Sequence, residues 1–376
     1  MVQYIECYPE YQKFKKFIKR LMSILNLSFI PWKVVRGYEK CILVIFEIYC
    51  LISAIYTLVY FEQTLMVFLL RVTIAAGYLQ LLTKTLSILT QPNQLKVLFL
   101  FIEEAHQVCE FDLIVDSPKV HTKYLKKSLG EIKTILKILF PVGLMTGAGI
   151  IFYFIYFDSM VLAVPGVSLS SKASPFYQHI HQFLCLEISI IILTIPDAVL
   201  ISIGFYLIAV LNIFRDIIQH IKKFDFSDKE RVLIQLHKFH CNILDKFSIF
   251  CNLFYFTIAI QIATSVVFVF CIFFLILSKE YIAFIPYFLA IFGQFGSVCI
   301  FGELMFSKTQ RLSTELYLTN WYELDLDEQK ILLMMMYMSQ KALGLKAAGM
   351  YDINLKMFIE VVKAGVSFCT ILYTLT

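Results

Sequence analysis

Charge is scarce in this chain: Asp, Glu, Lys and Arg make up only 16% of its 376 residues, and 59% are apolar. Soluble domains carry about 25% charged residues, so this composition, with a mean hydropathy of +0.75, excludes a soluble fold. The ten cysteines are scattered singly, with no Cys-x-x-Cys pair and none between 158 and 182. Neither a zinc site nor a disulfide framework is encoded. The first 33 residues are polar and basic, without a short apolar core and a small-residue cleavage site, so no signal peptide is expected. Catalytic groupings are missing too. His237 and His240 lie three apart on an expected helix, yet no carboxylate or cysteine set completes a metal site. Gly143, Gly147 and Gly149 read as close-packing residues of a membrane helix, not as a phosphate loop. The chain is expected to be no enzyme and to need no cofactor or metal.

Long apolar runs are abundant. A membrane span needs ~20 mostly apolar residues, and seven segments qualify, at about 41–61, 64–90, 137–157, 183–212, 250–277, 281–306 and 351–374. Open sheets cannot satisfy their edges in lipid, so an all-α membrane protein with seven transmembrane helices is expected. Phe (36) and Tyr (21) are frequent, which suits lipid-facing walls, interfacial belts and an aromatic-lined cavity alike.

The basic residues set the orientation. Of the 33 Lys and Arg, 27 fall in the N-terminal arm and in the connections after spans two, four and six. Only Lys172 and Lys279 fall on the other side, and Arg71, Lys84, Lys137 and Lys363 lie within spans. The positive-inside rule therefore predicts a cytoplasmic N-terminus and, after seven spans, an extracellular C-terminus. That topology is inverted relative to a G-protein-coupled receptor. The sequon Asn26-Leu27-Ser28 is then cytoplasmic and reads as an accidental tripeptide.

In the N-terminal arm, Tyr11, Phe14, Phe17, Ile18, Leu21 and Met22 alternate with Lys13, Lys15, Lys16, Lys19 and Arg20. The pattern predicts an amphipathic helix lying on an anionic leaflet. The outer connections are minimal except 158–182, whose Pro165, Gly166, Pro175 and serines suit a lid over an outer vestibule. Helical patterns continue on the cytoplasmic side through 94–133, 213–247 and 307–345. Asp325 and Glu328 have capping-box spacing ahead of the helix containing Ile331 to Met338.

Charges inside spans are costly and mark candidate sites. Glu47 and Arg71 are expected to face one another, and Glu187, Asp197, Glu303 and the Glu360/Lys363 pair are further candidates. In span three, Thr146, Gly149 and Tyr153 share one helical face. A small, mostly apolar ligand fits such a face, and so does ordinary helix packing. In the last span, Lys363, Ser367, Thr370 and Thr374 recur at steps of 4, 3 and 4 and stack on one face. Such a stripe lines a pore when several subunits surround an axis, or packs against neighbouring helices.

In the inner C-terminal third, Gly302-Glu303 ends span six, Asn320-Trp321-Tyr322 stands ahead of an apolar helix, and Ser339-Gln340-Lys341-Ala342-Leu343 follows. Ala348-Gly349 and Ser367-Phe368 come next, and His240-Cys241-Asn242-Ile243-Leu244 lies earlier. With these motifs in this order, the chain resembles the insect odorant receptor family. The resemblance implies an odorant-specific subunit of a ligand-gated, nonselective cation channel, forming a heterotetramer with a common co-receptor in the plasma membrane of a sensory neuron dendrite. The co-receptor is longer between spans four and five than this chain, where that connection is only ~30 residues. The resemblance divides the chain into a cytoplasmic arm (1–40), a six-helix ligand-binding region (41–306), a cytoplasmic helical anchor (307–350) and a pore-lining C-terminal helix (351–376). It implies an outer-leaflet pocket for a small volatile odorant at Thr146, Gly149 and Tyr153, with Leu69, Thr73, Ile188, Ile192, Phe284 and Tyr287 as neighbours. It places the cation path at Ser367, Thr370 and Thr374, an apolar gate at Ile371 and Leu375, and subunit anchoring at Trp321, Tyr322 and Gln340. A gustatory-type receptor channel is the nearest alternative, although the Thr-Tyr-x-x-x-x-Gln run typical of that family is missing. A G-protein-coupled receptor conflicts with the charge asymmetry. A transporter would more often show internal repeats.

Overall fold

The computed structural model describes residues 4–27, 38–61, 64–107, 117–156, 160–166, 174–221, 229–276 and 281–375. Helices dominate: α1 (Tyr8–Leu25), α2 (Glu39–Tyr60), α3 (Leu65–Thr90), α4 (Pro92–Glu104), α5 (Ser117–Tyr156), α6 (Ser174–Ile221), α7 (Lys229–Ile276), α8 (Tyr281–Tyr317), α9 (Leu326–Ser339) and α10 (Leu355–Leu375). Six of them, α2, α3 and α5 to α8, are long and apolar enough to cross a membrane. The chain is thus an all-α, multi-pass membrane protein.

The 48 residues of α6 and of α7 make each helix roughly 70 Å long, more than twice the ~30 Å of bilayer hydrocarbon. Spans three to six therefore run on as continuous helix beyond the bilayer, and no separate domain begins at their ends. Their extensions pack with α4 and α9 into a second bundle. The capping box forms as the spacing predicts, with the Glu328 carboxylate accepting from the Asp325 N–H at 3.0 Å. Between α9 and α10, strands β1 (Lys346–Ala347) and β2 (Tyr351–Asp352) form a short antiparallel hairpin. Its turn sets both Ala348 and Gly349 at positive φ, 50° and 73°, the left-handed region that tight hairpin turns require.

Two expectations fail here. Helix α1 forms, but its apolar face is covered by protein rather than lipid. Tyr11, Phe14, Ile18 and Leu25 are buried, with Tyr11 stacked on His106 at 4.2 Å and edge-on to Tyr206 of α6 at 5.5 Å. Tyr8 and Lys15 both bind the Glu103 carboxylate. Amphipathic spacing shows only that a helix has an apolar face, not what covers it.

The segment 158–182, expected as a lid, is instead built into the bundle where it is described. Met160, Val161, Leu162 and Ala163 are buried in the bundle, whereas 157–159 and 167–173 lie outside the described residues. Irregular backbone at this depth survives only if its polar groups find partners. Side chains supply them. Gln182 accepts from the N–H of Val161 at 2.8 Å and of Leu162 at 3.3 Å, Thr57 from Ala163 at 2.9 Å, and Gln178 from Val164 at 2.7 Å. Ser53 donates to the Ala163 carbonyl at 2.8 Å and Arg71 to that of Met160 at 2.9 Å.

Candidate ligand-binding cavity

Helices α3, α5, α6, α7 and α8 line a partly open cavity of about 380 Å³, at the small end of ligand-binding cavities. Most of its wall is hydrocarbon. On α6, Leu186, Ile190, Leu193, Asp197 and Ile201 face it at helical spacing, opposed by Ile138 and Val142 of α5 and by Phe268 of α7. The glycines of α5 bring the two helices together. A Cβ at Gly143 would meet Thr194 at 3.4 Å, and one at Gly147 would press on the Ile190 side chain.

The polar groups cluster toward one part of the wall. Lys84, wholly buried, binds Asp197 at 2.6 and 2.8 Å. Gln294 of α8 donates to the same carboxylate at 3.2 Å. Both Asp197 and Gln294 line the cavity. A buried charge is tolerable only when paired and hydrogen-bonded, and the three contacts together hold α3, α6 and α8. One turn before Lys84, Gln80 also lines the cavity, wholly buried. Its carbonyl oxygen accepts from Thr264 at 3.3 Å, and its Nε2 has no hydrogen-bond partner. Tyr78 donates to the Cys185 carbonyl at 3.3 Å, beside Ser189.

Of the residues expected here, Thr146 and Thr73 line the cavity. Gly149 is half-buried on the same helix but is not part of the wall. Leu69 is half-buried outside it, Ile192 is buried elsewhere, and Ile188 points outward at 43% exposure. The side chains of Tyr153, Phe284 and Tyr287 lie outside the described residues. Glu47 and Arg71 do not pair. Glu47 accepts from Thr85 at 2.7 Å, and Arg71 donates to the carbonyls of Met160, Thr57 and Phe61. Their distances from the outer turn differ by about two helical turns, so they stand at different depths. Among the described residues no group of three or more His, Cys, Asp or Glu could hold a metal. The Lys84–Asp197 contact, 113 residues apart in sequence, leaves no local signal. The only hint was that each is an ionisable residue inside a span.

Helix α10 lies against α7 and α8. Gly365 is pressed on Val269 and Phe273, Cys369 is buried, and Phe358 meets Phe292 and Phe295 at 6.1 and 5.1 Å. The opposite face is open: Lys363, Ser367 and Thr370 are exposed and Ile371 is 58% exposed. Thr374 and Leu375 belong to the helix, with side chains outside the described residues. Between α8 and α10, Trp321, Tyr322 and Gln340 are all exposed.

The described residues thus form a multi-pass helical membrane protein with a mostly apolar, partly open cavity between its spans. Residues 64–366 match the family described as 7tm Odorant receptor. The insect olfactory receptor OR5 from Machilis hrabei, solved in complex with eugenol, has a similar fold, with a TM-score of 0.82 at 15% identity over 98% of this chain and 100% of that one. A second structure of the same receptor gives a TM-score of 0.83 at 13% identity, covering 99% and 100%. No curated protein matches the sequence. The chain belongs to the insect odorant-receptor family.

Proposed function

We propose that this chain is the odorant-specific subunit of a ligand-gated, nonselective cation channel, opened by a small volatile in the cavity between α3, α5, α6 and α8. On this reading it spans the membrane seven times, with α10 as the seventh span, its N-terminus in the cytoplasm and its C-terminus outside. It assembles with the odorant co-receptor into a heterotetramer in the plasma membrane of the sensory dendrite. One observation carries the reading: α10 buries its Gly365 and Cys369 side and leaves Lys363, Ser367 and Thr370 uncovered. A lysine ammonium is costly against lipid, so the face that carries Lys363 calls for water or protein from other subunits. A pore lined by α10 from each subunit supplies both. Ile371 and Leu375 then form the apolar constriction, which closes by dewetting, and Lys363 sits at the cytoplasmic mouth.

The packing supports a route from cavity to pore. Phe268 lines the cavity and packs with Ile272 and Ile291. That group meets Phe288 and Phe292, and Phe292 meets Phe358 at the base of α10. Ligand that binds better when these rings stand in their open arrangement shifts the population toward conduction. The exposed Trp321, Tyr322 and Gln340 are then covered by neighbouring subunits in the cytoplasmic bundle. OR5 with eugenol is a precedent for a small volatile in this fold.

Recordings from cells expressing this chain alone, the co-receptor alone, or both test the proposal. Fast odorant-evoked current is expected only with both, and its ligand preference should follow this chain. A slow response that depends on G proteins would overturn it.

A further inference from the structure

The polar corner of the cavity points to the chemistry of the ligand. Asp197 accepts three hydrogen bonds, two from Lys84 and one from Gln294. A carboxylate offers about four acceptor sites, and the 14% of this side chain that remains exposed belongs to a residue of the cavity wall. Gln80 supplies the complement. It lines the same cavity, is wholly buried, and its Nε2 donor has no partner. An unpaired buried donor is costly, and a ligand can supply its missing partner. Gln80 and Lys84 are four apart on α3 and so stack on one face, and both Gln80 and the Asp197 that Lys84 holds line the cavity. A group within hydrogen-bond reach of both must accept from one and donate to the other. The smallest group that does so is a hydroxyl.

We propose that this cavity selects small neutral volatiles carrying a hydroxyl group, which donates to Asp197 and accepts from Gln80, while the hydrocarbon body fills the wall around Ile138, Val142, Leu193 and Phe268. The inference rests on reading the cavity as the odorant site. It disfavours the other common volatile classes for stated reasons. Ethers, esters and ketones can accept from Gln80 and offer Asp197 nothing. A carboxylic acid sets a second negative charge beside Asp197, whose only cation is already engaged. An amine adds a net charge to an otherwise balanced corner.

The test measures binding directly, as the ligand-induced rise in melting temperature of the purified full-length chain in nanodiscs. Two isosteric pairs serve as probes: octanol against heptyl methyl ether, and phenylethanol against benzyl methyl ether. Octanoate is the charged control. At least one alcohol should bind about tenfold more tightly than its ether, and octanoate should not bind. In the Lys84→Met/Asp197→Leu double variant, which replaces the ion pair by apolar groups, and separately in Gln80→Leu, that preference should shrink toward unity while the ether still binds. Ethers binding as well as or better than alcohols in both pairs, or no shift from any alcohol, would overturn the inference. Alcohol-selective binding without evoked current in the co-expression recordings would sink the channel reading alone. Robust current with no alcohol preference in binding would sink this inference alone.

Discussion

Gly302 stands where α8 passes the hairpin that feeds α10, and its lack of a side chain is a steric requirement. A Cβ there would run into the Ile353 carbonyl oxygen and lie 3.1 Å from its carbonyl carbon and 3.2 Å from its Cγ2. Carbon atoms in contact prefer about 3.5–4.0 Å. The obstacle is mostly backbone, so no rotamer change relieves it. Ile353 is itself fixed, because it is buried and its N–H donates to the Leu345 carbonyl at 3.0 Å. Gly302→Ala must therefore push the chain at Ile353, two residues before α10 begins, away from α8. Overpacking of this kind costs roughly 1–3 kcal/mol, which in a chain of this length should lower the melting temperature by about 1–4 °C. Because the displaced segment is the base of α10, the dose–response curve should shift at matched surface expression. Gly130→Ala is the comparator. No heavy atom lies within 4 Å of the added Cβ, and helix propensity alone predicts a gain of about 0.5–1 kcal/mol. Melting of both variants by fluorescence-detected size-exclusion chromatography decides the matter. A Gly302→Ala protein as stable as wild type, with an unshifted response, would refute the steric reasoning.

Three further expectations follow from buried polar groups. Lys84→Met alone strands the Asp197 carboxylate and should cost about 3–5 kcal/mol, whereas Lys84→Met/Asp197→Leu should recover most of it; equal melting of the single and double variants would contradict the pairing. Arg71→Gln removes the donor to the Met160, Thr57 and Phe61 carbonyls and should cost at least about 2 kcal/mol, with faster proteolysis near 160–166 as the readout. His106 is wholly buried against Tyr11, its Nδ1–H donating to the Ile102 carbonyl at 2.7 Å. Burial pushes its pKa down to about 4, with His121 adding to the effect and the Ile102 bond and Glu103 opposing it. The neutral ring is the folded form, so this contribution is complete above the unfolded value of about 6.5 and is lost as pH falls from there toward 4. At pH 5 the loss should approach about 2 kcal/mol, and His106→Phe should remove that part of the acid sensitivity. An unchanged pH profile in the variant would exclude His106 as its source.

What the sequence made legible was periodic or local. The spans follow from apolar runs and the Asp325/Glu328 cap from spacing. The stripe of Ser367 and Thr370 emerged from helical spacing and is exposed in the structure. What stayed hidden needs the third dimension. Lys84 and Asp197 are 113 residues apart, and only the packing of α3 on α6 joins them. The backbone of 160–164 looks like an ordinary loop, because the residues that satisfy it belong to α2, α3 and α6. Thr73 and Thr146 reach the cavity wall while Ile188 turns outward. Depth alone could not tell these apart, since residues at one level share a height and not a direction.

The central claim, that α10 lines a cation path, is tested most directly by cysteine accessibility in the assembled channel. Thr370→Cys would be co-expressed with the co-receptor and exposed to a small, membrane-impermeant, positively charged thiol reagent during odorant application. The native Cys369, buried on the opposite side, provides the unmodified background. Progressive, irreversible block of the evoked current in Thr370→Cys channels, with little effect on the parent, is the predicted result. Modification of Thr370→Cys, verified by mass, that leaves the current unaltered would contradict a pore on that face.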